Sequence, residues 1–201
     1  SSELNPAPKA PSRLSSFSSS FSEFCNEFGL NQMDEIKKII DISPQETSVA
    51  LNLTVKENLE FFQSLYDMKD KEYLNSIVNA FDLNSVLNKK AKTLSGGWQR
   101  RLSIAIAIIS KPKVIFLDEP TLGLDVIARR ELWKIIESLK GKMTIILTSH
   151  YLEEIEALCD RVAILNKGHL LDIGTVNEIK ERANESSFEN AFVKIAGGNI
   201  K

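Results

Sequence analysis

Apolar residues in the second half of the chain form uninterrupted runs that alternate with stretches of helical spacing. KVIFLDEP at 113–120 and MTIILTSH at 143–150 predict two buried strands, because the strands of a parallel sheet are covered on both faces. Helical periodicity predicts one helix from Gly97 to Ser110 and another from Ile127 to Lys140. This order of strands and helices predicts an α/β fold with a largely parallel sheet.

Two further patterns complete this α/β half of the chain. VAILNKGHLLDI at 162–173 predicts a strand-turn-strand hairpin around Asn166-Lys167-Gly168. Gly141 follows the second predicted helix and is expected to close it, since glycine readily adopts the left-handed conformation found after helix ends. Both features are local signals, which makes the boundaries of these elements predictable.

The segment before the first glycine turn is helical in pattern. LTVKENLEFFQSLY at 53–66 begins with a capping box, in which Thr54 and Glu57 satisfy each other's backbone amides. A second helix is predicted from Lys71 to Phe81, and a short third one near Leu83 to Leu87. We therefore expect a small helical subdomain inserted into the α/β core.

The N-terminal part of the chain has a different composition. Residues 1–22 contain nine serines and three prolines, which is typical of a weakly ordered segment. DEIKKIIDIS, from Asp34 onward, predicts a short helix that runs into a strand near Ile39 to Ile42. The predicted organisation has five parts: a Ser/Pro-rich segment (1–30), a core strand with a loop (31–47), the helical subdomain (48–93), the α/β core (94–181) and a tail (182–201).

Composition and charge restrict the function classes. The 201 residues are 43% apolar and 26% charged, as in an ordinary globular protein, and the net charge of −2 argues against nucleic acid as a partner. The two cysteines, Cys25 and Cys159, lie outside any metal-ligand spacing, and so low a cysteine content fits a reducing, cytoplasmic setting without a disulfide framework. Because the apolar runs are shorter than the roughly 20 residues that span a bilayer, we expect any membrane association to require a partner.

Polar residues follow three predicted strands. Gln45, the pair Asp118-Glu119, and His150 each come at the carboxyl end of a strand, where open parallel sheets bind ligands. Two carboxylates suit a divalent cation and an attacking water. Taken singly, each of these residues is explained as well or better by a structural role at a strand end.

Ser95, Gly96 and Gly97 stand directly before a helix. Exposed amides at a helix N-terminus, a hydroxyl and no Cβ atoms suit a phosphate group. A simple helix entry turn with tolerant glycines explains the same residues equally well.

Taken together and in order, these segments resemble the motifs of ATP-binding-cassette (ABC) proteins. LSGGWQRR at 94–101 is similar to the family's signature motif, VIFLDEP to its Walker B strand and TLGLD at 121–125 to its D-loop. SPQ at 43–45 resembles the Q-loop, and His150 the switch histidine. The resemblance implies a RecA-like P-loop NTPase core with an inserted helical subdomain.

The resemblance also implies a role for each hydrolytic residue, with ATP and Mg²⁺ as cofactors. Asp118 would hold Mg²⁺ through water, and Glu119 would be the general base acting on the attacking water. His150 would contact the γ-phosphate. Gln45 would sense both the Mg²⁺ ion and a transmembrane permease subunit.

Dimerisation is implied as well. Ser95, Gly96 and Gly97 would bind the γ-phosphate of ATP held by an opposing subunit, identical or not, and Asp125 would cross that interface. The chain would then lie on the inner face of a membrane through its permease partner. The tail SFENAFVKIAG at 187–197 resembles the branch that exports drugs, lipids or antibiotics, whereas Trp98, Val126 and Asp41 depart from the usual family residues.

One family motif does not occur. No Gly-x-x-x-x-Gly-Lys-Ser/Thr sequence is present, and Gly29 is the only glycine among the 44 residues before Gln45. Losing a P-loop removes about three charge-assisted hydrogen bonds to the phosphates, which weakens binding at least about a thousandfold. The core is thus expected to be incomplete, through truncation or rearrangement, and ATP hydrolysis to be impaired.

Three functions are compatible with this pattern. The first is the ATPase component of an ABC transporter that couples ATP hydrolysis to export. The second is a non-catalytic regulatory module that donates its signature motif to a P-loop-bearing partner. The third is an ABC ATPase acting on nucleic acid or ribosomes; it is disfavoured because coiled-coil insertions and basic extensions are not visible in the sequence.

Overall fold

A computed structural model of the chain describes residue 36 and residues 39–197. The chain divides into two units, residues 1–40 and residues 41–201. In the first unit, the amide of Ile39 donates to the carbonyl of Ile36 at 3.0 Å, just before a strand begins at Ile40. The predictions of a weakly ordered start and of a helix from Asp34 lie largely outside the described residues.

Strands form two separate sheets in the described part of the chain. A three-stranded sheet has the order β1-β2-β3, and β2 and β3 run parallel with Asp118 opposite Thr148. A β4–β5 hairpin is antiparallel, with a bulge between Ile164 and Leu165. The strands are β1 (Ile40–Ser43), β2 (Val114–Asp118), β3 (Thr144–Thr148), β4 (Val162–Asn166) and β5 (His169–Gly174). The predicted α/β class is confirmed.

The prediction that β3 is buried on both faces is wrong. Ile145 and Leu147 pack against the core, whereas the alternate residues are exposed, and Ile146 keeps 45% of its surface accessible. An uninterrupted apolar run is compatible with cover on one face or on both, because the residue types are the same in either case. Only the packing around the strand decides between them.

Helices begin and end close to the predicted boundaries. They are α1 (Val55–Leu65), α2 (Lys71–Ala80), α3 (Gly96–Ala107), α4 (Val126–Leu139), α5 (Leu152–Leu158), α6 (Val176–Ala183) and α7 (Phe188–Gly197), with 3₁₀ turns at Leu83–Val86 and Ala91–Thr93. The capping box of Thr54 and Glu57 is present, and Gly141 after α4 has a φ of +75°. Helix α3 ends at Ala107 rather than Ser110, and Ile108 is its C-cap. Within residues 39–197, none of the helices combines the length and hydropathy that crossing a bilayer requires.

Apolar side chains gather in two core clusters. The first extends from α1 and α2 through α3 and β2 to α4, and includes Phe81, Leu102 and Ile115. The second joins the β4–β5 hairpin to α6 and α7 around Phe188. The helical segment therefore shares one core with α3 and β2. The five-part division of the chain stays a prediction.

Asp41, one of the departures from the family pattern, lies in β1 and belongs to a polar cluster. Its carboxylate accepts hydrogen bonds from the Tyr66 hydroxyl at 3.2 Å, the Ser110 hydroxyl at 3.0 Å and the Ile42 amide at 2.8 Å. Burial raises the pKa of Asp41 despite these hydrogen bonds. Burial, with the nearby Asp41 charge, also raises the pKa of Tyr66.

Because the pKa of Asp41 is higher in the folded chain than its ordinary value of 3.8, ionising this group opposes folding. Its contribution is most favourable below pH 3.8 and is lost as the pH rises through the raised pKa. We expect the free energy of unfolding of Asp41→Asn to rise relative to that of the unaltered chain as the pH is raised from 4 to 7. Urea unfolding of both proteins at each pH measures this difference.

Asp70→Asn is the matched control with the opposite sign. The hydrogen bond from Lys111 lowers the pKa of Asp70, so the contribution of this carboxylate is present at neutral pH and lost on acidification. If the free energy of unfolding of Asp41→Asn, relative to that of the unaltered chain, falls or stays constant as the pH rises, the assigned burial of Asp41 is wrong.

Candidate functional site

Asp118 and Glu119 lie at the carboxyl end of β2 and are held by a threonine from the next strand. The Thr148 hydroxyl donates to Asp118 Oδ1 at 2.6 Å, and the Glu119 amide donates to the Thr148 carbonyl at 3.1 Å. Glu119 has a φ of +45°, a left-handed conformation that costs a non-glycine residue on the order of 1–3 kcal/mol. The parallel pairing of β2 and β3 thus fixes where both carboxylates lie.

His150 is brought to the same place by β3. Its Nδ1 lies 2.9 Å from Oε2 of Glu119. The imidazole is exposed, whereas the Glu119 side chain is largely buried, and the ring of Tyr151 lies 4.3 Å from the imidazole ring, centroid to centroid. Three of the predicted hydrolytic residues, Asp118, Glu119 and His150, are therefore neighbours.

Gln45 follows β1 in an exposed loop, and its backbone is tied to this group of residues through Arg100. The Arg100 guanidinium donates to the Gln45 carbonyl at 3.3 Å and to the Asp118 carbonyl at 2.5 Å. Sequence reasoning missed both Arg100 and Thr148. Neither residue carried a signal in the sequence, because the burial of every position from 100 to 109 is apparent only in the folded chain.

The glycine turn lies against the start of α4. A Cβ added to Gly97 would come within 3.1 Å of the Ala128 Cβ, whereas Gly96 has more room, with the Leu124 side chain at 3.8 Å. Close packing of α3 on α4 is thus a sufficient reason for glycine at position 97. Ser95 is exposed and makes no capping hydrogen bond to α3 in the part of the chain that the structure describes, so the anion-binding role of the turn stays a prediction.

Asp125 is engaged within its own helix. Its carboxylate accepts hydrogen bonds from the amides of Ile127 and Ala128, both at 2.9 Å, and caps α4. This cap explains why the helix begins at Val126, one residue before the predicted start. Val126 and Ile127 are largely exposed beside it, which leaves an apolar surface next to the turn.

A magnesium ion fits this site by the chemistry of the donors. Asp118 and Glu119 offer carboxylate oxygens, and Gln45 an amide oxygen, which are the ligand types that Mg²⁺ takes in proteins. Within residues 39–197, no group of three or more His, Cys, Asp and Glu side chains is placed to hold a metal ion. This arrangement suits an ion that keeps several waters and takes the rest of its ligands from substrate phosphates.

Comparison with known sequences assigns the family. The sequence profile of the ABC transporter family matches residues 18–122, just over half of the chain. The chain belongs to the ABC transporter family. The matched residues include the Q-loop, the signature turn and the Walker B strand, so the family predicted from the motifs is confirmed.

Curated relatives place the match within ABC ATPases. The chain is 38% identical over 153 residues to the human phospholipid-transporting ATPase ABCA3, covering 75% of this chain and 9% of that protein. It is 38% identical over 159 residues to ABC transporter A family member 8 of Arabidopsis thaliana, covering 76% and 18% respectively. The chain thus spans less than a fifth of the length of either relative.

A solved structure supports the same assignment. The structure of an ATP-binding subunit of an ABC transporter matches with a TM-score of 0.68 at 26% identity, covering 79% of this chain and 69% of that one. The fold is therefore that of an ABC ATP-binding domain, and membership of this family implies nucleotide binding.

Proposed function

We propose that the chain is the ATP-binding and ATP-hydrolysing part of a transporter that exports lipids. The observation that carries this proposal is the meeting of Asp118, Glu119 and His150 at the ends of two parallel strands, with 2.9 Å between the glutamate and the histidine. The lipid substrate is inferred from the relative that is named as a phospholipid-transporting ATPase. The tail at 187–197, which resembles the exporter branch of the family, is consistent with transport in the export direction.

In this proposal each hydrolytic residue has its own role. Glu119 accepts the proton of the attacking water, and His150, beside its Oε2, orients the glutamate and the γ-phosphate. Asp118 and Gln45 would hold Mg²⁺, and a bound Mg²⁺ would supply positive charge to offset that of the phosphates. Thr148 keeps the Asp118 carboxylate in place through its 2.6 Å hydrogen bond.

The proposed assembly follows the family pattern. Ser95, Gly96 and Gly97 face the γ-phosphate of ATP on a second nucleotide-binding domain, and Asp125 lies at the interface between the two. The exposed Val126 and Ile127 next to Asp125 supply apolar area for such a contact. A transmembrane permease, contacted by residues 48–93, holds the dimer at the inner face of the membrane.

A second candidate is a module that donates its signature turn and hydrolyses nothing itself. The observation that favours it is that no Gly-Lys-Ser/Thr sequence occurs in the 201 residues. A P-loop lysine and its backbone amides supply most of the contacts to the β- and γ-phosphates. In this alternative, the partner domain contributes them.

Titration of the purified chain with MgATP in a calorimeter separates the two candidates. Saturable binding at micromolar ATP is expected for a domain that hydrolyses ATP itself. If the chain instead depends on a partner domain for the P-loop, the affinity of the chain alone is at least about a thousandfold lower, and no heat is detected up to millimolar nucleotide. The latter result overturns the first proposal and supports the signature-donating module.

A further inference from the structure

Arg100 lies at the centre of a set of backbone carbonyls. The side chain projects from the second turn of α3 and keeps 4% of its surface accessible. It donates to the carbonyls of Pro120 at 2.9 Å, Asp118 at 2.5 Å and Gln45 at 3.3 Å, and also to that of Pro44. One guanidinium therefore joins the loop after β1 to the end of β2 and to the turn that follows it.

In the part of the chain that the structure describes, carbonyl dipoles surround the charge of Arg100. Among the described residues, none of the carboxylates is within ion-pair distance of its nitrogens, although Asp118 and Glu154 are close enough to favour the charged form. Burial lowers the pKa of Arg100 to about 10, so the guanidinium is still charged at neutral pH. Burying a cation costs free energy. The five N–H donors of a guanidinium offset this cost only where several acceptors lie within hydrogen-bond distance.

We propose that Arg100 is a positioning residue that sets the distance between the Gln45 loop and the strand end carrying Asp118 and Glu119. This inference rests on the proposed function of those three residues. Because the same planar group binds both segments, a movement of the Gln45 loop pulls on the Asp118 carbonyl. A signal that reaches Gln45 is thereby transmitted to the hydrolytic carboxylates.

Arg101 provides a matched control on the same helix. It is also buried, with 6% of its surface accessible, but its guanidinium pairs with Glu131 and Asp82 and stacks on the Trp98 ring at 4.5 Å. Its partners lie away from the Gln45 loop and from the end of β2. The same substitution at position 101 thus perturbs α3 without touching the proposed link.

Hydrogen exchange followed by mass spectrometry tests the link on the full chain without nucleotide. In Arg100→Lys, the ammonium cannot reach carbonyls in three segments, and we expect residues 41–49 and 115–122 to exchange about tenfold faster together. Arg100→Gln should show the same pattern more strongly. Residues 176–197, in the second core cluster, should keep their exchange rates in both variants.

In Arg101→Lys, faster exchange should be confined to the neighbourhood of Asp82 and Glu131. Acceleration of only one of the two linked segments, an equal response to Arg101→Lys, or uniform acceleration that includes residues 176–197 would each overturn the positioning role. The last result would leave Arg100 as a stabilising residue only. Because no ATP is present, this outcome is independent of the MgATP titration, which tests the proposed function.

Discussion

In a version of the domain that carries a P-loop, Glu119→Gln is expected to lower MgATP turnover by about 10²–10⁴-fold while ATP binding is retained, because glutamine keeps the shape of the side chain but cannot accept a proton from water. The neighbouring His150 loses a charged partner at 2.9 Å, but the backbone hydrogen bonds that hold position 119 remain. Steady-state phosphate release measured at saturating ATP, together with nucleotide binding by calorimetry, checks both parts.

Glu156→Gln is the control for this experiment. Glu156 is exposed and lies in α5, away from the strand ends. Its substitution by glutamine removes the same charge as Glu119→Gln does. Its turnover is expected to equal that of the unaltered chain. Equal turnover of Glu119→Gln and Glu156→Gln would show that Glu119 is not the general base.

Phe81→Ala is expected to have the largest effect on stability, a loss of about 3–5 kcal/mol in the free energy of unfolding. Phe81 follows α2, has none of its surface accessible, and belongs to the same core cluster as residues of α3 and β2. Truncation leaves a cavity in this shared core. Because a domain of this size is stable by only about 5–15 kcal/mol, the loss is a large part of the total.

Urea unfolding followed by tryptophan fluorescence and by circular dichroism measures this change. Trp98 and Trp133 both pack against the first core cluster, so fluorescence reports on it directly. Phe61→Ala is the matched control: Phe61 lies in α1 with half of its surface exposed, and a loss below about 1 kcal/mol is expected. A separate early transition for the helical segment, seen by circular dichroism alone, would contradict the shared core.

The two experiments address different levels of the molecule. Glu119→Gln tests the chemistry at the strand ends and should change stability little, since glutamine has the size of glutamate and the backbone hydrogen bonds of position 119 remain. Phe81→Ala tests whether residues 48–93 depend on the α/β core for their stability. Neither result can substitute for the other.

The sequence by itself determined the local elements and the family. The capping box at Thr54 and the hairpin turn, in which Lys167 and Gly168 both have positive φ, depend on residues a few positions apart. The family follows from motifs that occur in order along the chain, and it is confirmed by the match over residues 18–122. Such signals can be recognised without knowing what packs against them. The roles assigned to the site residues stay predictions.

Only the tertiary structure decided which residues support the site. Thr148 holds Asp118 from 30 positions away, and Arg100 reaches a carbonyl 56 positions away in the Gln45 loop. Threonine and arginine are common in many surroundings, so neither residue type predicts these contacts. The exposure of Ile146 and the burial that raises the pKa of Asp41 likewise depend on what lies against each side chain. Spacing along a chain encodes elements of secondary structure, whereas desolvation and long-range hydrogen bonds arise only when those elements pack together.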